Sequence, residues 1–236
     1  MSGLTLLGTV HRDSRGLSRL VKDLTRLAPH VITLELSTYG LRYRLEEKRS
    51  LNTRFLLGLQ EIQGTGVLSI QELKKLLRST GIGGISAFLD LPFEYKAARY
   101  YSQGRGIPLY CLDISSLSRR LLSDVDELLL PDNLQKAVAF EATPLQATVA
   151  MEYQHAEAIL LNGRQYPRFS PISETRVWEK RERILAKRIR KILARYQGRT
   201  VVHICGWQHI VNRQGTLFNL LADLKPKRVF LERLYP

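Results

Sequence analysis

The feature that most constrains the fold is a pattern that occurs twice, once near each end of the chain. The first copy is Leu6-Leu-Gly-Thr-Val-His11, a helical segment, and Pro29-His-Val-Ile-Thr-Leu-Glu35. The second copy is Ile204-Cys-Gly-Trp-Gln-His209, a helical segment, and Pro226-Lys-Arg-Val-Phe-Leu-Glu232. Each copy predicts a strand, a Gly-x-x-His turn, a helix, a proline, a strand and a glutamate, in that order. Two copies with matched spacing predict two related halves.

The same pattern predicts a site. In a parallel sheet the loops after the strands collect at the carboxyl edge, where ligands bind. If the two halves pack side by side, His11, Glu35, His209 and Glu232 all reach that edge. Two imidazoles and one or two carboxylates suit a divalent ion such as Zn²⁺, Mn²⁺, Fe²⁺ or Co²⁺. Such a metal would acidify a bound water, and a free glutamate would act as a general base.

Other interpretations of the same residues stay open. A histidine at a strand end is often a hydrogen-bonded loop residue. Glu35 lies in an apolar run, and an unpaired buried carboxylate is costly, so it needs a metal, a proton or a buried cation. Glu232 has Arg228 and Arg233 nearby, which favours a salt bridge as much as a ligand role. His203 lies within its strand, and we expect it to face the core.

The remaining segments alternate between strand and helix, which predicts an α/β fold. We expect a mostly parallel or mixed sheet with helices on both faces, built from two β-GxxH-α-β-E halves. No linker or low-complexity tract divides the chain, so residues 1–236 are predicted to be a single domain, with a mainly helical insertion over about 41–195. Within this insertion Gly81-Ile-Gly-Gly84 is expected to form a loop that ends the preceding helix.

The charge and the composition limit the classes of function that the chain can have. The chain has 36 Lys plus Arg against 22 Asp plus Glu, a net charge of +14. From Glu179 to Arg195, eight basic and two acidic residues surround an apolar stripe of helical spacing. This segment is either a solvated helix face or an anion-binding surface, and no nucleic-acid motif supports the second interpretation. No apolar run approaches membrane-spanning length, and two cysteines suit a reducing compartment, so we expect a cytoplasmic protein.

Several of these segments resemble a known family. Gly8-Thr-Val-His11 with Glu35-Leu, and Gly206-Trp-Gln-His209, are similar to the paired Gly-x-x-His signature of the TraB/PrgY family. That family belongs to a superfamily with the Tiki proteases, GumN, ChaN-like haem-binding lipoproteins and erythromycin esterases. Leu91–Ala98, the strand that ends at Asp113, and Arg181–Ala186 resemble further segments of the superfamily, from which Glu182 and Leu185 depart.

The resemblance implies a core of two related halves and a hydrolytic site. In Tiki-like members it implies metal-dependent peptide hydrolysis, whereas in erythromycin esterases the matching His and Glu act without a clear metal requirement. Carried over by motif, the site residues are His11, Glu35 and His209, with Arg181 as a charge that orients a carboxylate. Glu94 matches a family position, and we expect it to bind the cofactor. Many TraB-like proteins add C-terminal membrane helices, and no such segment follows in this sequence.

Three hypotheses result. The first is a metal-dependent hydrolase that acts on an amide or ester bond of a peptide or a small molecule, with a divalent Mn, Zn, Co or Fe ion. The second is a non-catalytic protein that binds a metal, haem or a small ligand in the same cleft. The third, which depends only on the positive charge, is a nucleic-acid-associated protein. A homo-oligomer is compatible with each of them.

Overall fold

The computed structural model describes residues 3–63, 69–139, 143–162, 176–231 and 233–234. It confirms the α/β class. The chain divides into two compact units. The sheet unit comprises Met1–Ser37, Phe93–Ile114 and Glu152–Pro236, and the helical unit comprises Thr38–Pro92 and Ser115–Met151. The assignment of a single domain stays a prediction.

Single helices and runs of consecutive helices separate the parallel strands along the chain. The elements are β1 (Leu4–Thr9), α1 (Gly16–Leu27), β2 (Val31–Leu34), α2 (Thr38–Glu46), α3 (Lys48–Gln63), α4 (Ile70–Leu77), α5 (Thr80–Leu89), α6 (Phe93–Gln103), β3 (Leu109–Cys111), α7 (Ser115–Ser123), α8 (Val125–Leu128), α9 (Pro131–Ala139), α10 (Leu145–Asn162), α11 (Arg176–Arg195), β4 (Val201–Gly206), α12 (Leu217–Leu220), β5 (Lys227–Phe230) and β6 (Arg233–Leu234). Short 3₁₀ helices at Trp207–Ile210 and Ala222–Leu224 flank α12.

The strands form one sheet in the order β3-β2-β4-β1-β5-β6, in which the first five are parallel and β6 is antiparallel. Every residue of β1, β2 and β4 is buried, so both faces of the sheet are covered, as expected for a parallel sheet. On one face Leu4 and Leu6 of β1 share a core cluster with α11 and α12. Side chains alternate along a strand, so Thr9 points to the other face, where its hydroxyl donates to Glu94 of α6.

The strand order interleaves the two repeated segments. The centre of the sheet is the β1–β4 pair, with β2 beyond β4 and β5 beyond β1. Gly8 of β1 lies opposite Cys205 of β4, and Thr9 lies opposite Gly206. The two Gly-x-x-His turns therefore leave neighbouring strands at the same edge.

The helical unit contains α2 to α5, α7 to α9 and the first turns of α10. Its core is a cluster of buried apolar side chains that includes Leu51, Leu59, Ile82 and Leu134. The middle of the chain is mostly helical, but α6, β3 and α11 within it belong to the sheet unit. In the described part of the chain, no helix has both the length and the apolar character needed to cross a membrane.

The prediction of a loop at Gly81–Gly84 is wrong, because these residues belong to α5. Ser79 caps the helix, and its hydroxyl accepts the N–H of Ile82. A Cβ atom on Gly81 would overlap the carbonyl oxygen of Ala137 in α9, and one on Gly83 would come within 2.5 Å of the Leu77 carbonyl oxygen. The glycines therefore allow close backbone approach inside a helix, which sequence alone does not distinguish from a loop signal.

Replacement of Gly81 by Ala is expected to destabilise the protein. Alanine favours a helix by about 1 kcal/mol over glycine, but overpacking against a backbone carbonyl costs about 1–3 kcal/mol. The expected net result is a lower Tm in thermal unfolding followed by circular dichroism. Gly104→Ala is the matched control, because no atom lies within 4 Å of a Cβ built there. An equal loss in both variants would contradict the packing explanation.

Candidate functional site

The two Gly-x-x-His turns pack against each other through their glycines. A Cβ atom on Gly206 would lie 2.8 Å from Nε2 of His11. A Cβ atom on Gly8 would lie 2.6 Å from Cδ1 of Ile210 and 3.1 Å from Cα of Trp207. Each glycine therefore makes room for a residue that belongs to the other turn, and a larger residue at either position would push the two turns apart.

Glu35 lies at the centre of the cluster, directly after β2. Its Oε2 accepts the backbone N–H of Gly206 at 2.7 Å. Its Oε1 lies 2.5 Å from Nη2 of Arg181 and 2.9 Å from Nε2 of His209. Burial disfavours the charged carboxylate, but the charges of His209 and Arg181 outweigh burial and hold the pKa of Glu35 well below its usual range. Glu35 is thus a buried anion and a weak base.

Arg181 of α11 connects Glu35 to the end of β3. Its Nε and Nη2 donate to the two carboxylate oxygens of Asp113 at 2.8 and 2.7 Å, which is the bidentate geometry that a guanidinium favours. Arg188, two helical turns along, donates to the backbone carbonyls of Leu112 and Asp113 at 2.6 and 2.7 Å. These contacts fix α11 against the carboxyl edge of the sheet and fix the position of the Arg181 charge.

His209 lies in the 3₁₀ helix Trp207–Ile210, and both of its ring nitrogens face carboxylates. Nε2 faces Glu35, and Nδ1 lies 2.5 Å from Oε1 of Glu182, which is fully buried. The ring of Trp178 stacks on the imidazole at a centroid distance of 4.6 Å. Burial favours the neutral ring, but Glu35 and Glu182 outweigh it and raise the pKa of His209 to about 9. His209 is therefore a buried imidazolium at neutral pH.

His11 has the same motif position in a more open environment. Its Nδ1–H donates to Oε1 of Glu94 at 2.8 Å, and the same oxygen accepts the hydroxyl of Thr9 at 2.8 Å. The His11 side chain keeps 55% of its surface exposed, and its Nε2 lies 3.9 Å from Oε2 of Glu35. Partial desolvation favours the neutral ring, but Glu94 and then Glu35 raise the pKa of His11 to about 9. His11 is thus a solvent-accessible titrating group of the cluster.

The structure brings five of the predicted site residues together, namely His11, Glu35, Glu94, Arg181 and His209. Glu232 lies outside the described residues. His203 faces the core, where its Nδ1 lies 2.9 Å from Oγ1 of Thr33, and burial lowers its pKa to about 3. It is therefore neutral.

Sequence reasoning missed the roles of Glu182 and Asp113. Oε2 of Glu182 accepts the N–H of Leu217 at 2.5 Å, so this carboxylate joins His209 to the start of α12. Glu182 precedes the buried Leu185 and Ile189 on the apolar side of α11, and a carboxylate at such a position requires a partner. Asp113 lies two residues after β3, at the end of the apolar run Leu109–Leu112, which gives the same signal.

The donor set does not fit a metal centre made from the predicted ligands. Both ring nitrogens of His209 face carboxylates, and Glu35 already contacts a guanidinium, the His209 imidazole and a backbone N–H. A metal at this position would have to displace these contacts, because its ligands are deprotonated nitrogens and free carboxylate oxygens. Among the described residues, no group of three or more His, Cys, Asp or Glu side chains has the arrangement that holds a metal ion.

A cavity of about 550 Å³ opens beside the buried His209. Trp178 forms part of its wall and also stacks on His209. Most of the other lining side chains are polar, among them Gln208, Arg183, Arg213, Thr216 and Asn219. The cavity therefore suits a small polar ligand.

Comparison with known proteins finds no matching family model, no matching curated protein and no matching solved structure. The fold and the site together define an α/β protein with a cluster of alternating cationic and anionic side chains at the carboxyl edge of its parallel sheet. In such sheets this edge is where ligands and catalytic groups collect.

The stability of the protein is expected to fall as the pH rises from 6.5 towards 9. The folded-state pKa values of His11 and His209 are raised, so their stabilising charge is fully present below pH 6.5 and is lost through about pH 9. For the buried His209 a rise of that size corresponds to about 3 kcal/mol. Thermal melting across pH 6–10 measures the slope, which His209→Gln should reduce. His30→Gln, at an exposed histidine before β2, should keep it; an unchanged slope in His209→Gln would contradict this assignment.

Proposed function

We propose that the protein is a hydrolase of ester or amide bonds in which His11, oriented by Glu94, transfers the proton. The single observation that carries this proposal is the 2.8 Å contact between His11 Nδ1 and Glu94 Oε1, with the ring still 55% exposed at the carboxyl edge. A carboxylate that holds one ring nitrogen fixes the tautomer of the histidine and leaves the other nitrogen free for acid–base chemistry. The substrate is a peptide or a small molecule that presents a carbonyl to this edge.

The hydrolytic step uses the neutral form of His11. Nε2 accepts a proton from a water molecule while the oxygen of that water bonds to the carbonyl carbon of the substrate. The tetrahedral intermediate then expels the alcohol or the amine, which takes the proton back from Nε2. The products are the carboxylic acid and the leaving group, and His11 returns to its neutral form. Glu94 keeps its hydrogen bond to Nδ1–H throughout.

Glu35, Arg181 and His209 act as positioning residues in this proposal. The buried Glu35 anion holds the N–H of Gly206, and Gly206 in turn provides the space that the ring of His11 occupies. Arg181 and His209 balance the charge of Glu35, so it does not compete with His11 for a proton. The arrangement favours His11 over Glu35 as the group that exchanges protons.

His11→Ala is expected to lower kcat/KM for a reactive ester such as 4-nitrophenyl butyrate by about 100-fold or more, because general-base catalysis contributes about 10²–10⁴. The measurement is release of 4-nitrophenolate at pH 8. His30→Ala is the matched control, because His30 lies before β2 and therefore at the opposite edge of the parallel sheet. Activity that survives in His11→Ala at the wild-type level would refute the proposal.

The pH dependence of the same reaction tests the role of Glu94. With a pKa of about 9 for His11, the rate should rise about tenfold per pH unit from pH 7 and level off near pH 9. Glu94→Gln removes the charge that contributes most to this elevation, so the midpoint should move to lower pH while kcat falls. A lower kcat with an unmoved midpoint would assign Glu94 a structural role only.

We expect purified protein to contain no stoichiometric divalent metal, because the predicted ligands are engaged with one another. Elemental analysis of the wild type beside His11→Ala, after growth with Mn, Zn, Co and Fe, makes the measurement. Ester hydrolysis should also be unaffected by a chelator. Near-stoichiometric metal that is lost in His11→Ala would contradict this expectation and would favour the metal-dependent hydrolase of the Tiki type.

A second candidate is a binding protein without turnover, and the polar cavity beside Trp178 favours it. Saturable binding of a small ligand, with no conversion across a panel of esters and peptides, would support this alternative. Nucleic-acid binding has less support. Arg188 holds the end of β3, and Arg190 of α11 pairs with Asp223 at 2.6 Å, so part of the basic face serves the fold.

The relationship to other proteins is also a proposal. The paired turns support descent from two related halves, since β1 and β4 are neighbours and their glycines accommodate each other's turns. The same features are compatible with distant kinship to the TraB/PrgY family, which the Gly-x-x-His motifs resemble. Within that superfamily, hydrolysis without a clear metal requirement is the precedent that the geometry of this site favours.

A further inference from the structure

The residue that follows His11 has an unusual backbone conformation. Arg12 has φ of 108°, in the region that favours glycine. It is the second central residue of a turn in which the N–H of Asp13 donates to the carbonyl of Val10 at 3.3 Å, and glycine is the usual residue at such a position. Residues held in sparsely populated regions cluster at ligand-binding and active sites.

The other positive φ values of non-glycine residues in the described chain have a simpler explanation. Ala28 at 44° and Lys225 at 48° end helices in the left-handed conformation, which is a common way to terminate a helix. Arg12 ends no helix, and its φ lies well beyond the left-handed helical region. Its conformation therefore belongs to the turn that presents His11.

Contacts around the turn hold this conformation in place. The carboxylate of the buried Asp13 accepts the N–H of Arg15 at 2.9 Å and the hydroxyl of Tyr153 at 3.2 Å. The hydroxyl of Tyr153 in turn accepts the N–H of Val10 at 3.4 Å. The turn is thus determined by its neighbours, and a glycine in place of Arg12 would fit it with less strain.

The side chain of Arg12 contributes little stability that would offset the strain of its backbone. It is 41% exposed, and its Nη2 lies 3.9 Å from Oε2 of Glu152, which is itself partly exposed. An ion pair of that length at the surface contributes little to stability. The other oxygen of Glu152 accepts the indole N–H of Trp207 at 3.0 Å, so the Arg12 guanidinium lies on the side of the second Gly-x-x-His turn. The arginine is therefore strained, exposed and adjacent to the proposed acid–base residue.

We propose that Arg12 binds a carboxylate group of the substrate beside the bond that is hydrolysed at His11. The guanidinium fork matches a carboxylate, and the carboxylates of Glu35 and Glu94 are already engaged by Arg181, His209 and His11. This inference rests on the proposed hydrolase function for the reaction, but the binding of a carboxylate can be measured without turnover.

The test uses two esters of similar size, 4-nitrophenyl butyrate and its carboxylated analogue, 4-nitrophenyl succinate. We expect the wild type to prefer the succinate ester in kcat/KM by about tenfold or more, as a charged hydrogen bond allows. Arg12→Gly should lose that preference and also raise the Tm by about 2–4 °C, because the strain is relieved.

Arg12→Lys should keep part of the preference. Arg15→Gly is the matched control: it removes the same charge from a residue with φ of −95° and should keep the preference.

Binding of free succinate, followed by calorimetry, separates this inference from the hydrolase proposal. Tenfold weaker succinate binding to Arg12→Gly would support the inference even if the wild type hydrolyses neither ester, which would count against the hydrolase proposal alone. Hydrolysis of both esters without a preference would overturn the inference alone. A preference that Arg12→Gly retains would also overturn it.

Discussion

The buried carboxylate of Glu35 is the interaction on which the carboxyl edge of the sheet depends. An ionised carboxylate out of water is costly unless hydrogen bonds and opposite charges surround it. Here the partners come from two distant parts of the chain. The second Gly-x-x-His turn supplies the N–H of Gly206 and the imidazole of His209, and α11 supplies Arg181. Satisfying one anion therefore fixes one turn and one helix relative to β2.

The charges extend outward from Glu35 in an alternating pattern. Arg181 is held by Asp113, and His209 is held by Glu182, so each cation that faces Glu35 has a second carboxylate behind it. Such a network is stable only when every member has its partner, because the local dielectric is low and an orphaned charge would be costly. The consequence for chemistry is that the inner members are poor proton donors and acceptors near neutral pH.

His11 differs from His209 because of its exposure rather than its motif. Both histidines end a Gly-x-x-His turn and both contact a carboxylate through Nδ1. His209 has its second nitrogen against Glu35 and a tryptophan over its ring, whereas more than half of the His11 side chain faces solvent. Burial thus assigns one histidine to the support of the site and leaves the other able to meet a substrate.

The amino-acid sequence by itself determined the α/β class and most helices and strands, because the periodicity of apolar residues is a local signal. The repeated motif, which is also a local signal, placed His11, Glu35 and His209 close together at one edge of the sheet. It did not determine the packing role of Gly81, since a glycine in a tight helix contact and a glycine in a loop look alike. It also did not determine the protonation of the site. Glu182 and Asp113 reach the cluster only when α11 and β3 pack against the sheet, and their charges decide which groups can bind a metal or move a proton. Local patterns along the sequence predict strands and helices, but long-range electrostatics exists only once the tertiary structure has brought those charges within a few ångströms of one another.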